Sequence, residues 1–196
     1  MWFVRTDINP WTSVTFVLTV LMLVLYIVDP PITELSYILL APWMHAGWSH
    51  FWNNLFVFVL LGTWIERRVG WQTFLTFAVL IPYLALYTPV AFKYGGLSRG
   101  ASGLTLALSG YAIPALVLTL SERINGTDGQ WREVAIIGLQ LLVVLYLTAD
   151  AIVTTKRFIG LTPHPEGIAV SAHFTALIIG ILWFAWRGWR HGIFDA

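Results

Sequence analysis

The stretch Gly100-Ala101-Ser102-Gly103, followed by the apolar run of residues 104–120, decides how this chain is read. It sets one serine between glycines at the mouth of a hydrophobic segment. A bilayer-spanning helix takes about 20 such residues. A serine hydroxyl is a weak nucleophile without a base beside it. What matters in the remaining residues is whether they supply a base, and donors for the charge that attack would create.

The 196 residues are 58% hydrophobic and only 11% charged, with mean hydropathy +0.75, whereas a soluble domain carries roughly 25% charged residues. A chain this apolar cannot cover itself with polar surface in water. It reads as one all-α membrane domain over residues 1–196, with no soluble domain at either end. The net charge of +1 leaves no basic footprint for nucleic acid. There are no cysteines, which removes disulfides, thiolate metal sites and cysteine nucleophiles together. Residues 1–10 are polar-aromatic, and the apolar run after them has no small-residue cleavage site before Asp29. That run reads as a retained span rather than a signal peptide.

Six segments are long and apolar enough to cross a bilayer: residues 11–28, 48–65, 71–91, 101–120, 134–154 and 167–186. Each is hydrophobic nearly all round. Helices are the default in lipid, where exposed backbone groups find no water. Asp29-Pro30-Pro31, Glu66-Arg67-Arg68-Val69-Gly70, Lys93-Tyr94-Gly95-Gly96, residues 121–133 and residues 156–167 read as the breaks between them. There is no internal repeat. With the N-terminus inside, Arg5, Arg67, Arg68, Arg123, Arg132, Arg187 and Arg190 are cytoplasmic, and Lys93, Arg99, Lys156 and Arg157 lie outside. Seven against four favours both termini in the cytoplasm of a multi-pass cell-membrane protein. Tryptophans 2, 11, 43, 48, 71, 131, 186 and 189 fall near span ends, as an interfacial belt does.

His50, Asn53, Asn54, Ser102 and His173 are the polar residues that lipid rejects. His50 and Asn54, four apart, share a helix face to within about 40°. Asn53, three from His50, stays open by spacing. His45 precedes the second span, as loop or first turn. Taken singly, each is explained by a hydrogen bond between helices, worth roughly 0.6 kcal/mol. Taken together, three spans bring their polar residues toward one outer end. Those parts fit acyl transfer: His173 accepts the Ser102 proton and returns it to the leaving amine. The Ser102 N–H, the Asn54 amide and a His50 ring N–H are candidate donors to the oxyanion, each worth about 2.7–4 kcal/mol of barrier. Gly100 and Gly103 leave room for a substrate backbone. This chemistry calls for no cofactor and no metal. Asp150 is the one acid inside an expected span, and reads as a span-end or packing residue.

Met44-His45-Ala46-Gly47-Trp48-Ser49-His50-Phe51-Trp52-Asn53-Asn54, Glu66-Arg67-Arg68-Val69-Gly70, Gly100-Ala101-Ser102-Gly103 continued by Ala107 and Gly110-Tyr111, and Ala172-His173 with Gly180 together resemble the rhomboid intramembrane serine proteases. The resemblance implies a six-helix bundle and a Ser102–His173 dyad in a water-filled cavity opening to the outer side. It also implies oxyanion support from His50 and Asn54, and transmembrane protein substrates entering between helices. Ala176 stands where the family often has glycine. It keeps a small-residue face, Ala172, Ala176 and Gly180, for packing on Gly103, Ala107 and Gly110. Leu106 stands where the family often has an aromatic against the histidine ring.

Other readings compete. There is no His-Glu-x-x-His for zinc and no second intramembrane aspartate. His45, His50 and His173 could gather as metal ligands. A catalytically silent relative that binds membrane helices is the main alternative, and a small transporter, which would show repeats or broken helices, is the third.

Overall fold

A computed structural model describes residues 13–31, 33–45, 47–92, 99–126, 129–163 and 169–191. They form α1 (Val14–Val28), α2 (Glu34–Leu40), α3 (Trp48–Val69), α4 (Trp71–Ala91), α5 (Ser102–Gly126), α6 (Trp131–Phe158) and α7 (Val170–Arg190). Among the described residues there is no strand. The all-helical membrane bundle expected from the sequence is what forms, with α2 as an added short helix. Helices α4 to α7 are long and apolar enough to cross a membrane by length and composition. The shorter α1 contributes 15 apolar-rich residues. The 22-residue α3 falls short on composition alone, since it holds His50, Asn53, Asn54, Glu66, Arg67 and Arg68. The start of the first expected span, Trp2, Arg5 and Trp11, the Lys93-Tyr94-Gly95-Gly96 break, and His164 to Gly167 lie outside the described residues.

Several breaks fall elsewhere than expected. Glu66-Arg67-Arg68-Val69 is helical, and Gly70 alone, with φ +82°, turns the chain from α3 into α4. Residues 121–126 extend α5 and residues 156–158 extend α6. Polar residues do not end a helix once it has cleared the apolar layer. Arg123 and Lys156-Arg157 sit in last turns, where the helix dipole favours cations.

The centre of the bundle is α5, which packs on α3, α4, α6 and α7, most extensively on α7. Small residues set that contact. A Cβ added at Gly180 would overlap the Ala107 carbonyl, and one added at Gly110 would overlap the Leu177 carbonyl. Below the crossing Trp183 stacks on Phe77 at 3.8 Å and leans on Tyr111 at 4.5 Å. Gly103, expected on the same seam, instead faces Ala85 of α4, whose Cβ would lie 3.1 Å from a Cβ at position 103. By spacing it lies within about 40° of Ala107 and about 20° of Gly110 around the helix, so periodicity alone places all three on one face, and the neighbour that Gly103 meets is set by how α4 packs at the first turn of α5. The peripheral helix is α6, which touches α5 and α7 and not α3.

At the opposite end from Ser102, Glu66 is fully buried at 1% exposure. Its carboxylate accepts from the Val14 N–H (2.7 Å), the Thr15 N–H (2.9 Å) and the Thr15 hydroxyl (2.7 Å). Ser13 Oγ accepts from the Phe16 N–H at 3.1 Å. The first three N–H groups of α1, which no helix can satisfy internally, are thus all paired. A carboxylate at a helix N-terminus also meets the positive end of the dipole. Of the tryptophans placed in the interfacial belt, 48, 71, 131, 186 and 189 are exposed at helix ends. Trp43 is a correction: it is buried core, with Nε1 donating to Tyr83 Oη at 3.4 Å.

Replacing Glu66 by Gln sets an NH2 against donors. The substitution is expected to destabilise the folded protein by about 2 kcal/mol, the scale of an unsatisfied buried polar group. A thermal melt in detergent that leaves the midpoint unchanged would show that Glu66 is not what caps α1.

Candidate active site

Helices α3, α5 and α7 all begin at one end of the bundle, because single reversals separate consecutive long helices. Ser102 is the first residue of α5, His173 the fourth of α7, and His50 and Asn54 occupy the first two turns of α3. Residues far apart in sequence therefore meet at one level. The His173 Nε2 to Ser102 Oγ distance is 2.7 Å. With Nε2 as acceptor, the serine hydroxyl donates to the imidazole and the ring proton sits on Nδ1. Leu106, in place of an aromatic, is itself buried and leaves this contact intact. Asp150 is exposed on α6, and no hydrogen bond joins a carboxylate to His173 among the described residues.

Asn54 is buried at 7% exposure, whereas Asn53, which spacing left open, faces outward. Asn54 Oδ1 accepts from the Thr105 hydroxyl at 3.2 Å, while its Nδ2 is buried without a partner. His50 is half-buried, with its ring edge-on to His45 at a centroid distance of 5.3 Å. Gly100 was expected to admit substrate, but its open side is filled by His50: a Cβ there would lie 2.8 Å from His50 Cε1. Gly100 also has φ +133°, a conformation that favours glycine. The two glycines beside Ser102 thus let helix α4 and the His50 ring approach the serine.

The turn that presents Ser102 is pinned from below by α2 and the loop after it. Ala41 O accepts from the Gly100 N–H at 2.9 Å. His45 Nε2 accepts from the Ala101 N–H at 3.3 Å, and His45 Nδ1 lies 3.2 Å from the Trp43 carbonyl. Those partners define one tautomer, with the proton on Nδ1 donated to Trp43 O. The C-terminal carbonyls of α2 are held in turn by α4: Tyr87 Oη donates to Ile38 O at 3.0 Å, and Tyr83 Oη donates to Leu39 O. Sequence reasoning missed α2, Tyr83, Tyr87 and Thr105. The signals were a Thr33/Ser36 pair able to form a capping box, tyrosines four apart on one helix face, and a threonine one turn after Ser102. His45, His50 and His173 do not form a ligand set: among the described residues no three metal-ligating side chains gather.

The Rhomboid domain model matches residues 33–190. The chain belongs to the rhomboid family. The comparison with curated proteins gives no match. Rhomboid membership and the apolar helices make this a multi-pass membrane protein, of a family that comprises intramembrane proteases acting on transmembrane substrates and inactive relatives. The match includes α2 and the turn before α5, so the rhomboid unit covers every residue named in this site.

Burial, with His50 beside it, pushes the His45 imidazole down from 6.5 to about 4, against the opposite pull of the Trp43 carbonyl. The folded protein therefore refuses a proton that the unfolded chain accepts. Stability falls as pH is lowered from 6.5 to about 4 and the contribution is fully lost below that window. In a His45→Gln variant this part of the slope disappears. Parallel pH profiles for the two proteins, measured by thermal unfolding, would remove His45 as the neutral acceptor that pins Ala101.

Proposed function

We propose that this rhomboid protein is an active intramembrane serine endopeptidase that cleaves transmembrane proteins with Ser102 and His173. The observation that carries the reading is the 2.7 Å approach of Ser102 Oγ to His173 Nε2. A serine and a histidine serving only as glue between helices have no need of that pairing at a helix mouth. Ser102 Oγ attacks the scissile carbonyl carbon as its proton passes to Nε2. The new C–O bond leaves the carbonyl oxygen negatively charged. The Ser102 N–H, without an intrahelical partner at the first position of α5, is one donor to that oxygen. The unpartnered Asn54 Nδ2 is the second and a His50 ring N–H the third. The α5 N-terminus adds its positive end. Collapse breaks the C–N bond, His173 returns the proton to the leaving amine, and water then releases the acyl group by the same steps in reverse order. His45, Gly100 and Gly103 support the serine without touching substrate.

The same reading sets the site toward the outer side, with both termini cytoplasmic, on the strength of the positive-inside count. Residues 1–196 act as one rhomboid unit. Substrate helices enter between α3 and α6, which make no backbone approach to each other. The exposed apolar face of α6, including Leu139, Leu142, Leu145 and Ile152, is suited to contact with lipid or with an entering helix.

Ser102→Ala in the purified, detergent-folded protein should reduce cleavage of a model transmembrane substrate to background. Undiminished cleavage removes the dyad, and a wild-type protein that binds substrate without cutting it is an inactive rhomboid. Asn54→Ala should lower kcat by about 100-fold with little change in KM, as loss of an oxyanion donor does. A change confined to KM would make Asn54 a substrate contact.

A further inference from the structure

We propose that Thr105 is a positioning residue that orients the Asn54 amide toward the serine. This rests on the reading of Asn54 as an oxyanion donor. An asparagine amide presents an acceptor at one end and donors at the other, and the two ends are nearly equal in shape. Only one orientation helps a developing oxyanion. With the amide reversed, Asn54 would present a carbonyl oxygen to the negative charge. Nothing in α3 itself selects between the two, since Asn54 is nearly two turns inside the helix and its side chain projects across to α5.

The selection comes from Thr105. Its Oγ1 lies 3.2 Å from Asn54 Oδ1 and 3.0 Å from the Ser102 carbonyl. A hydroxyl has one proton to give. Both acceptors are within its reach, but the Ser102 carbonyl, at the start of α5, has an i+4 partner in the helix ladder besides, so giving the proton to Asn54 Oδ1 is the arrangement that leaves neither oxygen unpaired. That bond holds the acceptor end of the amide on α5 and leaves Nδ2 as the end without a partner, buried in the bundle. An orphaned buried NH2 is costly. Here it lies on the residue that faces the serine helix, where a transient negative charge would pair it. Thr105 itself is 5% exposed, so water does not compete for the hydroxyl. Because Thr105 is also one turn after Ser102 on the same helix, the donor is referenced to the helix that carries the nucleophile. Any shift of α5 moves serine and donor together.

Thr105→Val removes the hydroxyl and nearly keeps the volume. In the full-length protein it should lower kcat about five- to tenfold, the equivalent of one neutral hydrogen bond, with KM unchanged. Thr105→Ser should restore kcat. In an Asn54→Ala background Thr105→Val should cost nothing further, since there is no amide left to orient. A Thr105→Val enzyme with wild-type kcat, beside an impaired Asn54→Ala enzyme, overturns the positioning role and leaves the protease reading standing. So does an equal fall in kcat with and without Asn54, which marks a structural effect. If Ser102→Ala cleaves like wild type, or wild type does not cleave, the protease reading falls and Thr105 falls with it. Should Thr105→Val fail to fold in detergent, Thr105→Ala is compared with Thr105→Ser by the same kcat ratio and the same double-variant cycle.

Discussion

The close crossing of α5 and α7 is the constraint on which the site depends. Lipid offers helices no hydrophobic drive to associate, so packing and polar contacts must hold them. Gly110 against the Leu177 carbonyl and Gly180 against the Ala107 carbonyl bring the two backbones into direct contact. From Ala107 to Ser102 is five residues, or about 7.5 Å along a helix, and from Gly180 to His173 is seven, or about 10.5 Å. Over so short a lever, helices fixed at the crossing keep their first turns in register. The 2.7 Å contact of Ser102 with His173 is then a consequence of backbone packing.

The other helices settle the remaining polar groups. Glu66 ties α3 to the start of α1 at one end, with three donors on a carboxylate that would otherwise be prohibitive to bury. At the other end α2 is held through its last carbonyls by Tyr83 and Tyr87 of α4, and holds in turn the Gly100 N–H. The serine turn is therefore anchored to α4 through two layers of hydrogen bonds. Asn54 Nδ2 is buried and unpaired on the face of α3 that meets the serine helix, and Thr19 Oγ1, Gln140 Oε1 and Thr162 Oγ1 are buried without a partner elsewhere.

Much of this was legible in the sequence. The membrane class followed from composition, because a short chain with 11% charge has no polar coat. The long helices followed from apolar runs, and Ser102, His50, Asn54 and His173 stood out because lipid selects against polar residues inside spans. Helix ends were less legible. Polar residues at 66–69, 121–126 and 156–158 looked like loops and are helical, since a helix continues into water as readily as it crosses lipid. Trp43 looked interfacial and is core, because an indole that finds Tyr83 can be buried.

What the sequence by itself determined is the inventory: a membrane chain, its spans, and the few polar side chains inside them. Periodicity reports only which residues share a face of one helix. Which face meets which neighbour was decided by the tertiary structure alone. It turned Gly103 toward α4, filled the space at Gly100 with His50, and buried Asn54 while leaving Asn53 exposed. It also paired Thr105 with Asn54 across two helices. Such choices rest on distances of a few tenths of an ångström between segments some fifty residues apart, and no local pattern encodes them.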